Sequence, residues 1–76
     1  MNDKNRKKIK KWIETIDQIR EDIETMQYEE EGKHDNLPDG LQDSERGEQM
    51  QEAIENLGFA ADSLRDTIDY LEDAAE

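Results

Sequence analysis

Residues 9–26 read IKKWIETIDQIREDIETM, and their large apolar side chains recur at alternating steps of three and four residues. No Gly or Pro interrupts the run, and apart from Ile13 the positions between are charged or polar. This spacing is the a/d pattern of a heptad repeat, which is typical of amphipathic helices and coiled coils. The a/d residues are Ile9, Trp12, Ile16, Ile19, Ile23 and Met26, and Ile13 widens the stripe. The pattern predicts a first helix over about 4–31, about 28 residues and about 42 Å long.

A second seven-residue pattern runs through the C-terminal part of the chain. Ala53-Ile54-Glu55-Asn56-Leu57 is followed, seven residues apart, by two related segments that again end in Leu. Three lines of apolar or small residues result: Met50, Leu57, Leu64 and Leu71; Ala53, Ala60, Thr67 and Ala74; Ile54, Ala61, Ile68 and Ala75. The pattern predicts a second helix over about 44–75, whose small residues let a partner helix approach closely.

The connection over about 32–43 contains the signals that end one helix and begin another. Gly32 suits the C′ position, where a left-handed residue ends many helices. Pro38-Asp39-Gly40 is typical of a turn. The candidate N-caps are Asn36 for a single helical turn at 37–41, and Ser44 or Asp43 for the second helix.

These elements predict an all-α protein, a single domain over 1–76 that folds as an antiparallel two-helix hairpin. A hairpin of 76 residues cannot bury apolar stripes three positions wide. We therefore expect a homodimer that forms a four-helix bundle, with a compact monomer or a complex with another protein as alternatives. The expected core and dimer residues are Ile9, Trp12, Ile13, Ile16, Ile19, Ile23, Met26, Met50, Ile54, Leu57, Leu64, Ile68 and Leu71.

Charge is distributed unevenly along the chain, which has a net charge of −12. Residues 1–12 are rich in Lys, whereas residues 62–76 are rich in Asp and Glu. In a hairpin these two ends lie side by side, so the positive charge of the first offsets the negative charge of the second. The acidic excess argues against nucleic-acid binding, because phosphates are repelled.

The residue types argue against catalysis, and we expect no enzyme and no cofactor. The chain has no Cys and no phosphate-binding glycine loop, and neither Ser44 nor Ser63 has a histidine base nearby. Glu31 and His34 have the Glu-x-x-His spacing of some metal-binding bundles, but Gly32 lies between them and the core positions supply no further carboxylates. We therefore expect no metal site, and interpret His34 as a solvated loop residue.

Three aromatic residues fall outside the apolar stripes: Tyr28, Phe59 and Tyr70. One interpretation is that Phe59 covers the flank of the bundle, while Gly58 tolerates a crowded helix crossing. The other is that the three are candidate partner-binding residues, because exposed aromatic side chains rimmed by acids are enriched at binding sites.

Residues 36–48 carry the core N-L-P-x-x-L-Q-x-S-E-R-G-E. This core resembles small acidic helical proteins from phages and mobile elements of Gram-positive bacteria, for which no activity is established. Gly58 and Phe59 depart from the Glu-rich heptads of those proteins. The resemblance implies a cytoplasmic setting and a role in phage–host conflict, and it transfers no site. Without an apolar run that could span a bilayer or serve as a signal peptide, we also expect a cytoplasmic protein with no membrane contact.

Three functional hypotheses follow. The leading one is a non-enzymatic module that binds another protein, with a basic host protein as a suitable target. The alternative is an acidic mimic of nucleic acid that inhibits a host nuclease or defence enzyme. A third is a weak RNA-binding bundle that uses the basic edge from Lys4 to Lys11.

Overall fold

The computed structural model describes all 76 residues, from Met1 to Glu76. It contains three helices and no strand: α1 (Asp3–Asp35), α2 (Asp39–Gln42) and α3 (Glu45–Ala74). Helical residues make up 88% of the chain, which confirms the all-α prediction.

Polar side chains cap the first turns of both long helices. The Asn2 side chain accepts a hydrogen bond from the Asn5 amide at 2.8 Å, at the start of α1. At the start of α3, the Ser44 hydroxyl accepts one from the Gly47 amide at 3.3 Å. Of the two caps predicted for the second helix, Ser44 is therefore the one that forms.

The predicted end of the first helix near residue 31 is wrong, because α1 continues through Gly32 to Asp35. No residue in the chain has a positive φ, so Gly32 is an ordinary helical residue and not a left-handed terminator. The helix stops before Pro38, whose ring disfavours helical backbone at Leu37 and which has no amide hydrogen to donate. Lys33 and His34 lie in the last turn, where positive charge is favourable.

The single turn α2 is also shifted from its prediction, and Asn36 does not cap it. Asn36 instead closes the end of α1, where its amide donates to the Gly32 carbonyl at 3.1 Å. Pro38 precedes α2, and no side chain caps it. The Gln42 side-chain amide holds this turn against the end of α1 and the connection after it, because it donates to the carbonyls of Asp35 and Leu37 at 3.3 and 3.2 Å.

Helices α1 and α3 lie against each other along a molecule of 58 × 14 × 12 Å. At one end, Arg6 Nε donates to the Ala75 carbonyl at 3.1 Å. Farther along α1, Gln27 Nε2 donates to the Ile54 carbonyl at 3.3 Å. Early residues of α1 therefore contact late residues of α3.

The side chains between the two helices form a seam that follows steps of three and four. Its positions on α1 are Arg6, Ile9, Ile13, Ile16, Arg20, Ile23, Gln27, Glu30 and His34. On α3 and its C-cap residue, Ala75, they are Gly47, Met50, Ile54, Leu57, Ala61, Leu64, Ile68, Leu71 and Ala75. Only Ile9, Gly47 and Ala61 are buried, and the other seam residues are half-buried. Within one chain, three expected core residues, Trp12, Ile19 and Met26, therefore lie outside the seam, and the residues that follow them, Ile13, Arg20 and Gln27, lie in it.

Alanine substitutions at two glycines test this description of the helix ends. A Cβ at Gly47 would lie 2.5 Å from the Leu41 carbonyl oxygen and closer still to that of Gln42, whereas nothing lies within 4 Å of a Cβ at Gly32. We expect Gly47→Ala to lower the free energy of unfolding by about 1–3 kcal/mol through overpacking. Gly32→Ala should raise it by up to about 1 kcal/mol, because alanine is the better helix former.

Urea unfolding followed by circular dichroism, at one protein concentration for all variants, measures both changes. A Gly32→Ala chain less stable than wild type would contradict the continuation of α1 through residue 32.

Candidate interaction surfaces

One side of the helix pair exposes a row of large apolar side chains. Trp12, Ile19 and Met26 follow one another at seven-residue spacing on α1 and are 54%, 46% and 53% exposed. The residues that flank the α3 seam at the same spacing are small: Ala53, Ala60, Thr67 and Ala74, all exposed. We call these two rows together the open face.

The contacts between helices place both rows on the same side of the seam. On the other side, Glu24 of α1 pairs with Arg65 of α3, and Gln27 lies against Ile54 and Gly58. On α1, the large row lies about 150° around the helix from Glu24. On α3, the small row lies about 150° around the helix from Arg65. Both rows therefore lie on the side of the seam away from these contacts. Half-buried seam residues such as Ile16 and Leu57 lie between the rows and make the open face continuously apolar.

The opposite side is polar, and we call it the charged face. Arg20 lies at a seam position, with its side chain only 14% exposed, and pairs with Asp17 at 2.9 Å and with Glu24 at 2.6 Å. Glu24 also accepts a hydrogen bond from Arg65 across the seam at 2.6 Å. The hydrogen bond to Asp17 raises the pKa of the Arg20 guanidinium above its usual value. The hydrogen bond from Arg65 lowers the pKa of the Glu24 carboxyl, and Arg20 acts in the same direction.

Gly58 faces this side and makes room for a polar contact. A Cβ at Gly58 would lie 2.7 Å from Gln27 Nε2, the atom that donates to the Ile54 carbonyl. The crowded crossing expected at Gly58 is therefore occupied by the flexible amide of Gln27.

The three candidate partner-binding aromatics are exposed, but they do not come together. Tyr28, Phe59 and Tyr70 are 78%, 66% and 76% exposed. Tyr28 lies beside Glu21 and Glu24 on the charged-face side of α1. Phe59 is two residues from the buried Ala61, which places it about 200° around α3, on the side away from α1. Tyr70 is three residues from Thr67, at the outer edge of the open face.

The prediction that His34 is a solvated loop residue is wrong. It lies in the last turn of α1, with its side chain 16% exposed. Its Nε2 atom is buried without a hydrogen bond, and Nδ1 is 3.9 Å from a carboxylate oxygen of Asp35. The cause is the continuation of α1 beyond residue 31, which brings His34 to a seam position. No group of three or more His, Cys, Asp or Glu residues is arranged to hold a metal ion.

The two oppositely charged chain ends meet through hydrogen bonds rather than through ion pairs. Arg6 donates to the main-chain oxygens of Ala75 and Glu76, at the end of α3. The five lysines between Lys4 and Lys11 make no ion pair within 4 Å. The acidic residues of α3 also have no ion-pair partner, since every carboxylate in an ion pair belongs to α1.

Comparison with protein-family models, curated proteins and solved structures yields no match to this chain. None of its helices is both long and apolar enough to cross a membrane.

The charged face gives a test based on pH. Because the folded-state pKa of Glu24 is lowered, its carboxylate contributes stability that is complete above the unfolded pKa of about 4.3 and is lost as the pH falls through the folded value. We expect the difference in unfolding free energy between wild type and Glu24→Gln to be largest near about pH 6 and to shrink towards about pH 3.

Urea unfolding at several pH values measures this difference. Glu14→Gln is the matched control, because Glu14 is exposed and makes no ion pair. Its difference from wild type should not change in this way, and a pH-independent effect of Glu24→Gln would contradict the role given to Arg65.

Proposed function

We propose that the chain is an antiparallel two-helix hairpin that pairs with a second copy into a four-helix bundle, and that this bundle is a non-enzymatic protein-binding module. The observation that carries the pairing is the exposed row of Trp12, Ile19 and Met26. Full burial of one such side chain contributes about 1.5–3 kcal/mol. A single chain buries only Ile9 and Ala61 among its apolar residues, so a partner copy supplies burial that two helices lack.

Sedimentation equilibrium tests the pairing. We expect wild type to be a dimer at micromolar concentrations, and Ile19→Glu to shift the equilibrium towards monomer by more than about tenfold, because a carboxylate would be buried in an apolar interface. Thr25→Glu is the matched control, since Thr25 is exposed and lies about half a turn from the seam.

The control variant should remain as dimeric as wild type. A wild-type chain that stays monomeric throughout this range would overturn the bundle, and equal dissociation of both variants would overturn the assignment to the open face.

The surface proposed for a second protein is the outer side of α3 around Phe59. Its neighbours one helical turn away include Glu55 and Asp62, which are exposed and have no ion-pair partner. An aromatic side chain between carboxylates is complementary to an apolar pocket bordered by Lys or Arg, so a basic host protein is the proposed partner. Tyr28 and Tyr70 are further candidate contacts. The proposed setting is the cytoplasm of a bacterial host, with the protein encoded by a phage.

An acidic mimic of nucleic acid is the second candidate, favoured by the free carboxylates. All acidic residues except Asp17, Glu24 and Glu30 are exposed, and those of α3 are unpaired. Such a surface would occupy the nucleic-acid channel of a nuclease or defence enzyme, and its binding would weaken strongly with salt.

Affinity capture from a bacterial lysate at about 0.1 M and about 0.5 M NaCl separates the two candidates. The baits are wild type, Phe59→Ser and, as a control at an exposed position two turns away on α3, Gln51→Ser. We expect a protein that wild type and Gln51→Ser retain at both salt concentrations and that Phe59→Ser loses, because apolar contacts are little screened.

A protein that all three baits retain only at low salt would favour the mimic. If no protein is retained above the level of a bare matrix, neither proposed activity stands.

A further inference from the structure

The open face is self-complementary, and this sets how two copies can pair. We infer that the two-fold axis of the dimer runs parallel to the helices, so that α1 of each copy lies over α3 of the other. The large row on α1 (Trp12, Ile19 and Met26) then packs on the small row of the second copy's α3 (Ala53, Ala60, Thr67 and Ala74). This inference rests on the proposed dimer and specifies its geometry.

The register of the two helices supports this packing. Arg6 lies beside Ala75 and Gln27 beside Ile54, which fixes the height of each α1 residue relative to α3. Met26 therefore lies at a height between Ala53 and Ala60. By the same spacing, Ile19 lies between Ala60 and Thr67, and Trp12 lies between Thr67 and Ala74. Rotation about an axis parallel to the helices leaves these heights unchanged, so each large side chain of one copy meets a gap between two small residues of the other.

An axis perpendicular to the helices gives a poorer fit. Heights along the bundle are then reversed, so α1 packs on α1 and α3 packs on α3. Ile19 near the middle of α1 meets its own copy, and small residues of α3 meet small residues. In that arrangement the large side chains keep the two α1 helices far apart, whereas the small side chains pack only if the two α3 helices lie close together. The two halves of one interface would therefore need different distances between helices. Close packing favours the arrangement in which every large residue faces small ones.

The small row is suited to burial, including its one polar member. The Thr67 hydroxyl donates to the Ser63 carbonyl of its own helix at 2.9 Å, so its hydrogen-bond donor is already satisfied. The other members of the row are alanines, which lose no side-chain rotamer freedom when they are covered.

The extent and the rim of the open face also suit a contact between two copies of the chain. The large row extends over about 21 Å of α1, and the small row over about 32 Å of α3. The rim on α3 is uncharged, with Gln49, Asn56, Ser63 and Tyr70 along it. Two chains of net charge −12 can therefore approach there without opposing carboxylates on both sides. Pairing through the charged face would instead desolvate Arg20, Glu24 and Arg65.

Cysteine cross-linking tests this geometry, because the chain has no cysteine of its own. The variants are Ile19→Cys and Ala60→Cys, the second carrying a short tag so that mixed dimers differ in mass. After mixing and mild oxidation we expect disulfide-linked mixed dimers to form at least about tenfold faster than linked dimers of either variant alone, since a disulfide needs Cα atoms within about 7 Å.

Met26→Cys with Ala53→Cys is a second pair that should behave in the same way, so that poor folding of one variant does not decide the result. Thr25→Cys mixed with Ala60→Cys is the control and should form few links. Circular dichroism and sedimentation equilibrium of each variant verify its helicity and its dimerisation.

The possible failures have different meanings. Rapid linking of Ile19→Cys to itself would show the perpendicular axis, which overturns this inference and leaves the dimer intact. Dimers in sedimentation without links in either mixed pair, or links in the control as fast as in the test pairs, would also overturn the inference. A monomeric wild-type chain would overturn the proposed dimer, and the inference with it.

Discussion

The fold depends on the width of its apolar stripes compared with what one partner helix can cover. On α3, apolar or small residues form three neighbouring rows, whereas α1 has two apolar rows and Ile13 in a third. A single packed helix covers about two rows of each. The seam between α1 and α3 therefore leaves Trp12, Ile19 and Met26 on one side, with the alanine row beside them. Only three residues of the chain are buried. Two helices alone therefore leave these rows uncovered, and this is the basis of the proposed dimer.

The sequence predicted the helices and the apolar residues well, but not which side of the stripe would face the second helix. A period of 3.5 identifies Ile9, Ile16 and Ile23 as central and leaves both flanks open. The flank with Trp12, Ile19 and Met26 is the more apolar, so hydrophobicity alone favours it. The seam instead uses Arg20 and Gln27, because both find partners there: Asp17 and Glu24 for the guanidinium, and the Ile54 carbonyl for the amide. The contacts of Gln27 with Ile54 and of Glu24 with Arg65 join residues 27 and 41 positions apart, and spacing along one helix does not reveal such contacts.

The C-terminal end of α1 was likewise not predictable from the sequence pattern alone. Glycine is common just beyond helix ends, yet inside a helix it costs only about 1 kcal/mol relative to alanine. Neighbouring interactions such as the pair of Lys33 with Glu30 can offset part of this cost. Proline cannot donate a backbone hydrogen bond and disfavours helical backbone in the residue before it, so Pro38 is a stronger indication of a helix end than Gly32. The later end of α1 also explains why the candidate site was only partly predictable. His34 lies at the seam and not in the expected loop, because α1 includes it. The exposure of Tyr28, Phe59 and Tyr70, in contrast, followed from their positions outside the stripes.

The arrangement of α3 separates the two proposed contacts on one helix. Ala60 belongs to the open face, whereas its neighbour Phe59 points away from the α1 side, as its 66% exposure and its two-residue offset from buried Ala61 require. A second copy on the open face leaves Phe59 and the unpaired carboxylates around it free in each half of the bundle. The two Phe59 side chains then lie on opposite sides of a two-fold dimer, so a bundle would present two equal binding surfaces. Two partners held on one rigid bundle would bind a dimeric or repetitive target with an avidity that one hairpin lacks.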